Sequence, residues 1–411
     1  MQFFKDLSPS AFTAGFVAVL VGFTSSVAIV FQAALAFGAT PELIASWMWA
    51  LGVGMGLCSM LPSLWLKKPV MVAWSTPGAA VLATAGAAGA GGGFSMNEAV
   101  GAFIACALLI TLCGVTGLFE RVMNRIPMAI ASALLAGVLA RFGLQGFTAA
   151  QTALPLVLTM LLAYLCGRRW VPRYAVPITL AIAILFLAIQ QGLTWANVSF
   201  DPIAPIFTAP RFTWSALTSL ALPLFVVTMA SQNLPGVAAM QAAGYAGTGG
   251  AIQAGVNRAD SGIPISKIIT LTGLATLVLA PFGAFALNLS AITAAICMGK
   301  EAHPDPAKRY TAAVTCGAIY LLIGIFGAAI TGVLTSFPKE LVAAIAGLAL
   351  LGTIGGALAT AVKDESHREA ALITFLVTLS GVAIAGVGSA FWGVMAGALA
   401  LFVQQFGRAR R

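Results

Sequence analysis

The residues Ser231-Gln-Asn-Leu-Pro-Gly236 stand in the middle of an apolar run from about Leu217 to Ala243, and they constrain everything around them. A run of that length, wound as an α-helix at about 1.5 Å per residue, crosses the hydrocarbon of a bilayer. Its centre nevertheless carries a hydroxyl, two side-chain amides, a proline and a glycine. Hydrocarbon cannot satisfy those groups, and Pro235 removes one helical N–H, so the segment must face protein, water or a ligand. A kinked helix bonded to its neighbours would accommodate one or two polar side chains. Three in succession do not fit on one helix–helix seam. The stretch therefore reads as a binding site near the membrane midplane, with Ser231, Gln232, Asn233 and Gly236 as candidate contacts.

Composition makes that segment one of many. The chain is 60% hydrophobic and 8% charged, with a mean hydropathy of +0.98. That balance excludes an ordinary soluble domain and defines an all-α polytopic membrane protein. The first apolar run, from about Ala11 to Phe37, is too long for the core of a signal peptide and reads as a retained first span. None of the six cysteines forms a Cys-x-x-Cys pair, so small apolar packing is their expected role, with no metal or cofactor. The net charge of +9 comes from residues in short interhelical loops, where it orients the chain; nucleic acid is not an expected partner.

Breaking the apolar runs at Pro, Gly and charged clusters gives about fourteen segments. The longest interruption, from Gln191 to Trp214, divides the chain almost in half. The expected units are residues 1–195 and 212–411, joined by a linker at 196–211. With the N-terminus inside, only Arg141, Arg211 and Lys339 of the 21 Lys and Arg residues fall outside. That bias predicts cytoplasmic termini and an even number of segments in the inner membrane. A weak repeat supports the division. Phe31-Gln-Ala-Ala34, followed by Gly38 and Thr40, resembles Met240-Gln-Ala-Ala243, followed by Gly247 and Thr248. Seven segments per half is an odd number, so the two copies would have opposite orientations, the inverted-repeat plan of secondary transporters.

In each half the third segment begins extended and then turns helical, at Trp74/Ser75 and at Leu287/Asn288. Ser75-Thr76-Pro77-Gly78 has a hydroxyl cap and a proline in the first turn; Asn288 is also a favoured cap, with Ser290 close behind. Two helix starts facing each other inside the membrane would hold an anion on backbone N–H groups and dipole ends. Ser75, Thr76, Gly78, Asn288 and Ser290 thus join the candidate set, with Phe23, Trp74 and Phe285 as candidate aromatic walls. All twelve Asp and Glu residues lie in loops or at segment edges, which argues against a cationic substrate. Arg141 is the most embedded cation and reads as an arginine snorkelling at the outer edge. Both His residues fall in loops, which leaves an intramembrane enzyme a remote alternative.

These residues carry a family resemblance. Ser231-Gln-Asn-Leu-Pro-Gly236 with Gln241-Ala-Ala-Gly-Tyr245, Trp74-Ser75 with Pro77-Gly78, and Ala286-Leu-Asn-Leu-Ser-Ala291 resemble the bacterial benzoate:proton symporters (BenE family), relatives of the nucleobase and sulfate/bicarbonate transporters. The resemblance covers nearly the whole chain. It implies a seven-plus-seven inverted repeat whose core and gate domains are each formed from both repeats and move in an elevator-like way. Segments one, three, eight and ten would build the site. It also implies proton-coupled import of benzoate or a similar small aromatic acid, with the proton as coupling ion and a homodimer among the expected assemblies. Where the nucleobase relatives carry a glutamate, this chain has Gln232, which shifts the expectation from base to acid. An inorganic-anion or nucleobase carrier of the same fold is the alternative.

Overall fold

In hydrocarbon an extended backbone leaves its N–H and C=O groups unpaired, so helices dominate wherever the chain meets lipid. The computed structural model follows this rule and departs from it at one place. It describes residues 2–24, 26–87, 94–123, 126–190, 203–245, 262–327, 337–382, 384 and 389–405. In the first half the principal elements are α1 (Pro9–Thr24), α2 (Val27–Ala36), α3 (Pro41–Leu66), β1 (Val72–Trp74), α4 (Thr76–Ala87), α5 (Met96–Val115), α6 (Met128–Thr148), α7 (Ala150–Trp170) and α8 (Ala175–Gln190). The second half brings α9 (Trp214–Ala242), α10 (Ile265–Leu279), β2 (Leu287–Leu289), α11 (Ile292–Met298), α12 (Tyr310–Ile325), α13 (Lys339–Ala361), α14 (Arg368–Ser380) and α15 (Ser389–Gln405).

Among the described residues, six helices are long and apolar enough to cross a membrane: α3, α5, α6, α7, α9, and α10 with the turn that extends it to Phe282. The bent helix α13 makes a seventh if it is one span. The first apolar run, expected as one continuous segment, is interrupted between α1 and α2, where the Ser26 hydroxyl donates to Gly22 O. Residues 196–202 of the expected linker, Gly247 and Thr248 of the repeat, and Arg408, Arg410 and Arg411 lie outside the described residues.

The departure from helix is a two-stranded antiparallel sheet. Val72 pairs with Leu289, Ala73 with Asn288 and Trp74 with Leu287. Two strands leave two outer edges, and buried side chains supply the missing partners on both. On the β1 side, the Ser63 hydroxyl accepts from Val70 N at 2.9 Å and donates to Val70 O at 3.2 Å. One turn back on α3, Ser59 does the same for Val72, at 3.0 and 3.4 Å. On the β2 side, Thr276 Oγ1 accepts from Leu287 N at 3.1 Å and Asn233 Oδ1 accepts from Leu289 N at 2.9 Å. Ser59, Ser63, Thr276 and Asn233 are all completely buried, so no water competes for these bonds.

Helix α9 carries two wider, π-helical turns, Leu217–Ala221 and Met229–Asn233. Each ends two residues before a proline, Pro223 and Pro235. A proline lacks the N–H of the regular ladder and its ring collides with the carbonyl four residues back; the wider turn relieves both problems. Small residues then let the helices approach closely. A Cβ on Gly52 of α3 would lie 2.7 Å from Gly324 Cα of α12, and one on Gly56 would lie 2.7 Å from Gly317 O.

At one end of the molecule polar side chains tie distant segments together. Lys67 Nζ donates to Tyr310 Oη at 3.2 Å, Tyr310 donates to Asp6 Oδ2 at 2.8 Å, and Arg168 pairs with Glu301 at 2.9 Å. Arg309 is buried there, giving Nη1 to Met298 O at the C-terminus of α11 and Nε to His303 O, each at 2.8 Å. A cation at a helix C-terminus is favoured by the dipole as well as by the hydrogen bond.

Candidate functional site

Where the two segments β1 and β2 leave the helical pattern, a cavity of about 360 Å³ opens beside the sheet. One part of the lining comes from the broken segments: Gly22 in the last turn of α1, Ser26 between α1 and α2, Trp74 at the end of β1, Thr76 and Pro77 at the start of α4, and Ser231, Gln232 and Pro235 on α9. The residues that lead from β2 into α11, Ser290 to Thr293, complete it. A second part of the lining is a single face of α6, with Val138, Arg141, Phe142 and Gln145 at helical spacing. Thr378 and Gly381 at the end of α14, with Ser389 and Ala390 at the start of α15, close that side.

The first part of the lining is held by its own hydrogen bonds. Ser75 caps α4 as expected: its Oγ accepts from Gly78 N at 3.1 Å, and Thr228 Oγ1 of α9 lies 2.9 Å from the same oxygen. Trp74 donates Nε1 to Ser26 Oγ at 3.0 Å, which fixes the indole at the cavity edge, and Phe23 packs on it with ring centroids 5.6 Å apart. The broken first segment therefore serves the site, and Ser25-Ser26 is the signal in the sequence that marks it.

Of the candidates named from the sequence, Thr76, Ser231, Gln232, Ser290 and Trp74 reach the cavity. The others stand behind it. Ser75 is spent on its cap, Gly78 supplies the capped N–H, and Asn233 faces the sheet edge, with Nδ2 3.2 Å from Met229 Sδ. Gly236 lets α9 press on β2, because a Cβ there would lie 2.7 Å from Leu289 Cβ. Phe23 is buried behind Trp74, and Phe285 belongs to a separate cluster with Trp47 and Phe103, at 5.7 and 5.9 Å.

Asn288 departs from the expectation. It does not open a helix but lies in β2 opposite Ala73, and α11 starts only at Ile292. The ladder to β1 outweighs the local preference of asparagine for a cap, and its Nδ2 donates instead to Ala286 O at 3.0 Å. With seven residues, α11 is too short for much of a dipole. Arg141, read as an arginine snorkelling at the outer edge, is exposed and also lines the cavity. Gln145, Phe142 and Thr293 could not be singled out from the sequence, since an apolar helix does not declare which face meets the site.

Broken spans around a cavity, in a chain of this hydropathy, suit a membrane transport protein. The chain belongs to the BenE family, described as benzoate membrane transport protein, whose model matches residues 5–403. It is 46% identical over 398 residues to the inner membrane protein YdcO of Escherichia coli (strain K12), covering 97% of this chain and 96% of that one. It is 39% identical over 399 residues to the benzoate membrane transport protein of Acinetobacter baylyi (strain ATCC 33305 / BD413 / ADP1), covering 97% and 96%. Among solved structures, the transmembrane domain of the cyanobacterial bicarbonate transporter BicA aligns with a TM-score of 0.45 at 14% identity, over 98% of each chain. SLC26A9 aligns with a TM-score of 0.48 at 10% identity, over 93% of this chain and 66% of that one.

Proposed function

We propose that this protein imports benzoate or a similarly small aromatic carboxylate across the bacterial inner membrane, coupled to a proton. The observation that carries the reading is the make-up of the cavity. It combines ring-sized apolar surface at Trp74 and Phe142 with the polar groups of Thr76, Ser231, Gln232 and Ser290. It also holds an arginine and, among the described residues, no carboxylate. Its volume of about 360 Å³ lies at the small end of the roughly 300–1,000 Å³ range of small-molecule sites. A flat acid suits such walls better than a cation, which would require a buried carboxylate.

In the same reading the chain is a seven-plus-seven inverted repeat with both termini cytoplasmic. The antiparallel pairing of β1 with β2 supports it, since equivalent segments of inverted copies run in opposite directions. The wall of broken segments is then the core that carries substrate past the gate helices α6, α14 and α15, as in an elevator.

The test is uptake of labelled benzoate into proteoliposomes under an imposed inward pH gradient, with uracil and sulfate as competitors. Uptake that collapses with the gradient and is insensitive to both competitors is the expected result. Competition by sulfate or uracil would move the protein to another substrate class, and gradient-independent uptake would remove the proton.

A further inference from the structure

Arg141 has a geometry that a snorkelling arginine does not need. It sits on the cavity face of α6, between Val138 and Phe142 on one side and Gln145 on the other. Its guanidinium rests on Gly381, the residue that ends α14 with φ +70°. A Cβ built on Gly381 would lie 2.7 Å from Cζ and 2.8 Å from both Nη atoms. Three nearly equal distances place the glycine against the flat face of the guanidinium. The N–H donors lie in the plane of that group and so point past the glycine, not at it.

Those donors have no protein partner among the described residues. The ion pairs found there are Arg168–Glu301, His367–Asp364 and Arg368–Glu365. Arg141 is exposed, so those donors are open to water or to the acceptors of a ligand in the cavity. A planar fork of donors matches a carboxylate in bidentate geometry.

We infer that Arg141 is the residue that receives the carboxylate of the transported acid, and that Gly381 is the positioning residue that leaves room for its guanidinium. This deepens the substrate reading above and rests on it. It also revises how the acid is held: the charge comes from α6 rather than from two helix ends alone. The ring of the acid then packs on the apolar part of the lining, at Trp74 and Phe142.

The experiment compares benzoate with benzamide, which keeps the ring and planar head group but has no charge, using purified full-length protein in nanodiscs. Arg141→Gln should weaken benzoate binding at least tenfold and change benzamide binding less than twofold. Arg141→Lys, which restores the charge without the fork, should recover part of the benzoate affinity. Gly381→Ala should weaken benzoate in the same selective way. As a second measurement on the unaltered protein, benzoate should protect Arg141 from phenylglyoxal, read by mass spectrometry. Equal losses for both ligands would make Arg141 a structural support and overturn the inference, as would unchanged benzoate binding in Arg141→Gln. Absence of protection, in protein that binds benzoate, would overturn it too. Failure of the unaltered protein to bind benzoate would instead sink the substrate reading, and the inference with it.

Discussion

Asn233 separates a contact with substrate from support of the site. Its Oδ1 is 2.9 Å from Leu289 N, both residues are completely buried, and this bond closes the outer edge of β2. Asn233→Ala removes the acceptor and strands a backbone N–H where no water reaches. A buried donor left without a partner costs about 1–3 kcal/mol. At about 1.4 kcal/mol per factor of ten, local opening at Leu289 should become roughly 5- to 140-fold more frequent. Hydrogen exchange resolved to the peptide around 287–290 in nanodiscs reads that quantity directly, because exchange of a buried amide follows the population of the opened form. The expected result is faster exchange at Leu289, with loss of uptake following from the loosened strand. Unchanged protection at Leu289 together with lost uptake would refute the argument and return Asn233 to the list of substrate contacts.

Two further outcomes follow from the packing. Ser63→Ala strips Val70 of a donor and an acceptor at once, so it should lower the thermal midpoint in detergent, and Ser63→Thr, which keeps the hydroxyl, should restore most of the loss. Gly56→Leu forces a side chain into the seam where a Cβ alone would already lie 2.6 Å from Leu321 Cγ; it should abolish the monodisperse peak in size-exclusion chromatography, and a normal elution profile would contradict the close approach of α3 and α12.

How much of this was legible depended on the range of the interaction. Ser75 could be named as a helix cap from the sequence because the donor it accepts from, Gly78 N, is three residues away. The polar break in α9 was equally visible, since three polar side chains and a proline within hydrocarbon have no bland explanation. Asn288 misled because its local preference is to cap, whereas its partner Ala73 comes from the other half of the chain. The same limit applies to Asn233, whose role depends on where β2 passes. Phe285 lies near a break in sequence but turns into the Trp47–Phe103 cluster, a choice made by helices α3 and α5. Arg141 was visible as an embedded charge, but only the position of α14 decides what it faces.

The pairing of β1 with β2 also sets a timetable for biogenesis. Val72 and Leu289 stand more than half the chain apart, so the first strand is made long before its partner exists. At about 5–20 residues per second, synthesis of the intervening chain takes roughly 10–40 s. During that interval Ser59 and Ser63, already present on α3, can shield one side of the strand, while the other side waits. The nascent first half is thus an incomplete object inside the membrane. Truncation before residue 287 should leave a product that the cell's membrane quality control recognises by that unpaired edge.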